Sequence, residues 1–195
     1  MDLYLASKSP RRKSILQDVE YDFTVIDAPF DESSVNLSVC PDKGVLDIAR
    51  GKAEAGFLEL DSSKRSTAVV LAADTIVVCD GKVMLKPRDS AEAKEMLQRL
   101  SGCRHEVYTA VAIVSENKKS SFVEKTDVFF KALSDDEIDT YILSGEPLDK
   151  AGAYGIQGKA CLFVNKIDGD YFNVVGLPIC HVFEELKLFD ISPRG

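Results

Sequence analysis

Tryptophan is absent from these 195 residues, and histidine occurs only at His105 and His181. The five cysteines, Cys40, Cys79, Cys103, Cys161 and Cys180, are odd in number, widely spaced and without a Cys-x-x-Cys pair. So few imidazoles and no paired thiols argue against a zinc site. The thiols read as buried or incidental in a reducing compartment, with Cys79, Cys161 and Cys180 set in apolar segments. His181 falls on an expected helix and reads as a packed side chain. No apolar leader opens the chain, and no apolar run approaches the ~20 residues of a membrane-spanning helix. The expectation is a cytoplasmic protein with no membrane partner. An excess of basic charge is missing too. A formal net charge of −8 argues against binding a nucleic-acid polymer. A small phosphorylated ligand needs only a local cluster of Lys and Arg. Hydrophobic content of 45% and charged content of 29% are ordinary for a globular chain. The length fits one domain, or one sheet with two lobes.

What is present begins at Leu3-Tyr4-Leu5-Ala6-Ser7-Lys8-Ser9-Pro10-Arg11-Arg12. Strand character runs into a turn. A helix follows, with Ser9 as N-cap and Pro10 at its first position, where the missing N–H costs nothing. The N–H groups of that first turn carry the positive end of the helix dipole and suit an anion. Dipole electrostatics alone would favour Asp or Glu there, yet the chain places Arg11 and Arg12, with Lys8 just before. Such a concentration of positive charge points to a strongly negative ligand, phosphate.

Further along, 21–26 reads as a second strand leading into Asp31-Glu32, and 42–60 has helical periodicity. The apolar run 68–78 reads as a central strand, Asp80-Gly81 as a two-residue turn, and 82–85 as the partner strand. Asp89 with Glu92 has capping-box spacing and opens a helix ending at Gly102; Ser134 with Glu137 opens another through Leu143. Residues 107–114 and 121–131 read as a long hairpin, and 145–158 as a glycine-rich loop with room for a helical turn. A last hairpin is expected from 161–167 and 171–175, then a helix from Pro178 to about Phe189. The class is α/β with a mixed sheet.

Asp74 interrupts the apolar run, where an ionised carboxylate must find a cation or donors, or take up a proton. A strand-end Asp bonded to backbone N–H groups is the plain alternative. The hairpin tips the balance, because folding back at Asp80-Gly81 sets Lys86 roughly opposite Asp74-Thr75. Lys52 shares a helical stripe with Val45, Ile48 and Ala49. Its head either snorkels past the core edge or reaches into a cleft holding phosphates, and the second is favoured. Asp31 and Glu32 alone read as a solvated turn; with Asp74 they would supply the oxygen ligands Mg²⁺ prefers. Gly152, Gly155 and Gly158 surround Tyr154 and Gln157. They form either a tight loop needing positive φ, or backbone approaching a base whose edge Gln157 meets with a donor and an acceptor. Asp149-Lys150 reads as an ion pair anchoring that loop.

The opening segment resembles the N-terminal signature of the Maf proteins, which are nucleoside triphosphate pyrophosphatases. The resemblance continues through Ala73-Asp74-Thr75, Lys86-Pro87-Arg88-Asp89, Ser101-Gly102 with His105, the run 145–158, and Asn173-Val174-Val175-Gly176-Leu177-Pro178. It implies an elongated mixed β-sheet with flanking helices and a cleft between two lobes, similar to the inosine-triphosphate-pyrophosphatase-like fold, in a single domain over 1–195. It also implies hydrolysis of a nucleoside triphosphate to monophosphate and pyrophosphate, in the service of nucleotide-pool sanitation. The loop 149–158 resembles the subgroup acting on dTTP and UTP, rather than its sister acting on 7-methyl-GTP. In that subgroup the positions matching Arg12, Thr75 and Gln157 are associated with substrate choice, and Asp74 matches the proposed proton acceptor. Glu32, more than Asp31, matches an implied site residue. The resemblance thus implies Asp74, Lys52 and Lys86 as catalytic, Ser7, Ser9, Arg11 and Arg12 on the phosphates, Mg²⁺ or Mn²⁺ on Glu32 and Asp74, and a homodimer. Leu85 and Ala160-Cys161 depart from the usual pattern and bear on substrate preference only. A second reading is a nucleotide-binding regulator of division or septum formation with incidental hydrolysis; the intact Asp74, Lys52, Lys86 and Glu32 favour catalysis.

Overall fold

The computed structural model describes residues 1–194. Its strands are β1 (Asp2–Leu5), β2 (Phe23–Val25), β3 (Ala68–Cys79), β4 (Lys82–Met84), β5 (Arg104–Val114), β6 (Lys119–Phe130) and β7 (Val164–Asp168). Its helices are α1 (Pro10–Asp18), α2 (Pro41–Glu59), α3 (Ser62–Arg65), α4 (Ser90–Leu100), α5 (Asp135–Leu143), α6 (Tyr171–Val175) and α7 (Ile179–Lys187). One seven-stranded sheet runs β2-β1-β3-β5-β6-β7, with β4 paired to β3. Parallel pairing of β1 with β2 and β3 combines with antiparallel β3–β4 and β6–β7 pairs, so the α/β class and the mixed sheet hold. Two compact units divide the chain: 1–74 with 109–124 and the segment from 176, and 75–108 with 125–175.

The first unit is built on the apolar half of β3. Val69, Val70 and Leu71 are fully buried, and Leu3 and Leu5 of β1 lie beside Val69 and Leu71 in parallel register. Burial on both faces suits such a continuous apolar run. α2 turns Val45, Ile48, Ala49, Ala53 and Gly56 inward. A Cβ at Gly56 would lie 3.1 Å from Ala6 Cβ and 3.2 Å from Ile26 Cδ1, so glycine lets this helix sit close.

In the second unit Asp80 (φ 49°) and Gly81 (φ 71°) are both left-handed, as a two-residue hairpin turn requires, and pair Cys79 with Lys82 and Val77 with Met84. α4 and α5 contribute Leu97, Leu100, Ile138 and Tyr141 to a core with Phe130, Tyr154 and Phe163. Ser134 and Glu137 form a full capping box. At α4 the pattern is half kept: Asp89 accepts from Glu92 N, but the Glu92 carboxylate turns to the backbone and side chain of Arg88.

Three expectations need correction. Segment 171–175 is helix α6, not a strand, and the partner of β7 is β6. Asp170 Oδ1 accepts from Phe172 N at 2.7 Å, and buried Asn173 donates to Val107 O and Thr126 Oγ1. Those bonds outweigh the strand preference of Tyr, Phe and Val. β4 ends at Met84 rather than Leu85, whose carbonyl accepts from Gly152 N instead. Finally, all five cysteines are free thiols, and Cys161 and Cys180 are exposed, because their short turn and helix face solvent there. His181 stacks on Phe122, ring centroids 3.6 Å apart, with Nδ1 near Glu124.

Candidate active site

The first unit gathers a compact charged group. α2 delivers Lys52 from its apolar stripe, and its Nζ lies 2.7 Å from both Asp74 Oδ1 and Glu32 Oε1. The Lys52 and Asp74 side chains are only 16% and 15% exposed, so this contact is shielded from solvent far more than a surface ion pair. Glu32 opens a short 3₁₀ turn, Glu32–Ser34, that Asp31 holds by accepting from Ser33 N and Ser33 Oγ. Asp31 is therefore a cap that places Glu32.

Arg12 is the second centre. Its guanidinium is buried; Nε donates to Gly176 O at 2.8 Å and Nη1 to Ser7 Oγ at 3.1 Å. Burial lowers its pKa, while the fields of Asp74 and Glu32 oppose that shift and Arg11 adds to it. A guanidinium stays charged under any such shift. Ser9 occupies the N-cap position with Pro10 behind it, but its side chain makes no capping bond. Its N–H donates to Ser7 Oγ, which thus joins the turn to Arg12. Lys8 forms an exposed ion pair with Asp27.

The second unit carries Thr75, which follows Asp74 on β3, together with Lys86 and Gln157. Lys86 is exposed beyond the end of β4, because the ladder stops at Met84 and the proline after Lys86 has no N–H to extend it. The ammonium that reaches Asp74 is that of Lys52. Gln157 is exposed in a run of short 3₁₀ turns, Glu146–Asp149, Ala151–Ala153 and Lys159–Leu162. Packing explains the glycines around it. Gly152 has φ 67° and its Cβ would come within 2.9 Å of Val77, while a Cβ at Gly158 would strike the Glu146 carboxylate that accepts from Lys159 N. Lys150 Nζ bonds Asp149 and Glu146 O, the expected anchor. His105 Nε2 lies 2.8 Å from Tyr154 Oη, and Tyr141 Oη accepts from Gly155 N, so aromatic residues also hold the loop.

The family model described as Maf-like protein matches residues 2–189. The chain belongs to the Maf family. A protein named dTTP/UTP pyrophosphatase from Bacillus mycoides (strain KBAB4) is 48% identical over 188 residues, covering 96% of this chain and 95% of its own. One of the same name from Bacillus pumilus (strain SAFR-032) is 49% identical over 191 residues, covering 98% of each. Among solved structures, the Staphylococcus aureus Ham1 protein aligns at 14% identity and a TM-score of 0.42, over 67% of this chain and 72% of that one.

Of the residues singled out in this Maf chain, Ser7, Ser9, Arg11, Arg12, Glu32, Lys52 and Asp74 lie in the first unit. Lys52, Glu32 and Asp74 meet directly, and Arg12 meets Ser7. The Gly176 carbonyl, which fixes Arg12, carries no local signal, being 164 residues away. Among the described residues no three His, Cys, Asp or Glu side chains gather as a metal cluster, and no helix is long and apolar enough to cross a membrane.

Proposed function

We propose that this chain hydrolyses dTTP and UTP at the α–β phosphoanhydride, releasing the monophosphate and pyrophosphate. Support comes from full-length relatives of that name and from one observation above all: a shielded Lys52–Asp74 pair, joined by the more exposed Glu32, in the same unit as a buried Arg12. Three cations, Arg11, Arg12 and Lys52, lie in this unit in a chain of net −8. A triphosphate suits such a gathering of cations.

Glu32 and Asp74 already converge on one cation, and both offer the carboxylate oxygens that Mg²⁺ and Mn²⁺ prefer, so they fit a divalent ion. When bound, such an ion would offset phosphate charge and acidify water. Asp74 accepts the proton of the attacking water. Arg11, Arg12, Lys52 and Lys86 hold the triphosphate and stabilise charge that develops as the anhydride opens, with Ser7, Ser9 and the α1 amides completing the cradle. Thr75 and Gln157 select the base. A homodimer and a cytoplasmic house-cleaning role belong to the same proposal.

The test is separation of products from dTTP, UTP, CTP, GTP and 7-methyl-GTP with Mg²⁺ or Mn²⁺. Monophosphate and pyrophosphate from dTTP and UTP are expected. Preference for 7-methyl-GTP would move the chain to the sister specificity. Nucleotide binding without turnover would make it a regulator, and diphosphate with orthophosphate would overturn the bond assignment.

A further inference from the structure

We propose that Lys52 is an internal counter-ion that competes with the divalent cation for Glu32 and Asp74, so that metal and nucleotide load together. The inference rests on the metal reading of that pair. Lys52 Nζ donates a charge-assisted hydrogen bond to Asp74 Oδ1 and forms an ion pair with Glu32 Oε1, each at 2.7 Å and each to a single carboxylate oxygen. A divalent ion takes such oxygens at about 2.1 Å, so an ion on the same two atoms and the ammonium would occupy overlapping space with like charge. The helix fixes the Lys52 backbone, while its four-carbon stem lets the head move. An ammonium shielded from solvent cannot leave two carboxylates for nothing; it needs another anion. The phosphates of the substrate supply one. Nucleotide therefore releases Glu32 and Asp74 to the metal, and the coupling must be reciprocal. Free metal alone meets two carboxylates that are already neutralised in part.

Mn²⁺ binding to the whole chain, followed by electron paramagnetic resonance of the free ion, tests this with and without α,β-imido-dUTP. Wild type is expected to bind Mn²⁺ weakly alone and about tenfold or more tighter with the analogue, within the usual range of coupling. Lys52→Met should bind Mn²⁺ about tenfold tighter than wild type without the analogue and lose most of the coupling. Lys52→Arg, which keeps a cation, should stay weak. Equal or weaker Mn²⁺ affinity in Lys52→Met overturns the proposal, as does tight binding that survives Glu32→Gln in the Lys52→Met background. Should Lys52→Met fold poorly, Lys52→Gln and the Mn²⁺-induced rise in Tm read the same competition. Failure of the pyrophosphatase reading looks different: the analogue does not bind wild type and dTTP stays intact, while Mn²⁺ binding to the variants is still measured.

Discussion

Arg12 and Asp74 occupy neighbouring roles that substitution separates. The Arg12 fork donates to Gly176 O through Nε and to Ser7 Oγ through Nη1, two directions that one ammonium cannot reproduce. Arg12→Lys is expected to leave Gly176 O without its donor, at a stability loss of about 1–3 kcal/mol in urea unfolding. Its kcat/KM should fall about tenfold or more, chiefly through KM, as the role proposed for the guanidinium on the phosphates requires. An unchanged KM would remove Arg12 from the substrate site. Asp74→Asn differs, because the amide oxygen can still accept from Lys52 and the fold should persist. Nucleotide binding should survive while kcat drops by about 10²–10⁴, the usual worth of a positioned base. Pyrophosphate release at the wild-type rate would sink the proton-acceptor role. Lys52 was legible from sequence because its helical spacing put it among Val45, Ile48 and Ala49, and Asp74 because it broke an apolar strand.

Elements whose signals are local were legible, and those decided by distant partners were not. The apolar run of β3, the Asp80-Gly81 turn and the Ser134–Glu137 capping box each act within a few residues, and each forms. Segment 171–175 carries strand-forming residues, yet Asp170, Asn173 and the distant Thr126 fold it as a helix. Lys86 was placed from the hairpin register, but the register ends where Leu85 O meets Gly152 N, from a loop much later in the chain. That loop gives a prediction at its own scale. Gly152→Ala combines a positive φ of 67° with a methyl 2.9 Å from Val77, so local strain and overpacking act together. The expected cost is about 2–4 kcal/mol by urea unfolding. Ser134→Ala should cost only about 1 kcal/mol, because water replaces its cap. Equal losses would mean that the loop yields around Gly152.

For the molecule as a whole, the group that couples stability to pH in the range 4–6.5 is buried rather than in the proposed site. His105 is 1% exposed, between the rings of Phe130 and Tyr154. Burial pushes its pKa down to about 4 from the ordinary 6.5, against the opposing field of Asp127. Nε2 bonds Tyr154 Oη and Nδ1 has no hydrogen-bond partner, so the core offers a second N–H nothing to bond. The native state therefore holds the neutral ring, and the unfolded chain protonates first. Above pH 6.5 both forms are neutral and the stabilisation is fully present. As pH falls below 6.5 the unfolded state takes up a proton that the folded state refuses, and stability drops by about 1.4 kcal/mol per unit. The decline levels off near pH 4, where the folded ring protonates too, after a total of about 3 kcal/mol. Carboxylates held low by their partners, Asp127 by Arg104 and Glu137 by Lys131, act at the acid end: their stabilisation is present above about pH 4 and is lost below it. The upper window thus belongs mainly to His105. Urea unfolding at pH 7.0, 5.5 and 4.5 should show wild type losing about 2–3 kcal/mol more than His105→Gln, which carries every other titrating group. Parallel lines for the two proteins would mean that water reaches Nδ1 and the ring protonates in place.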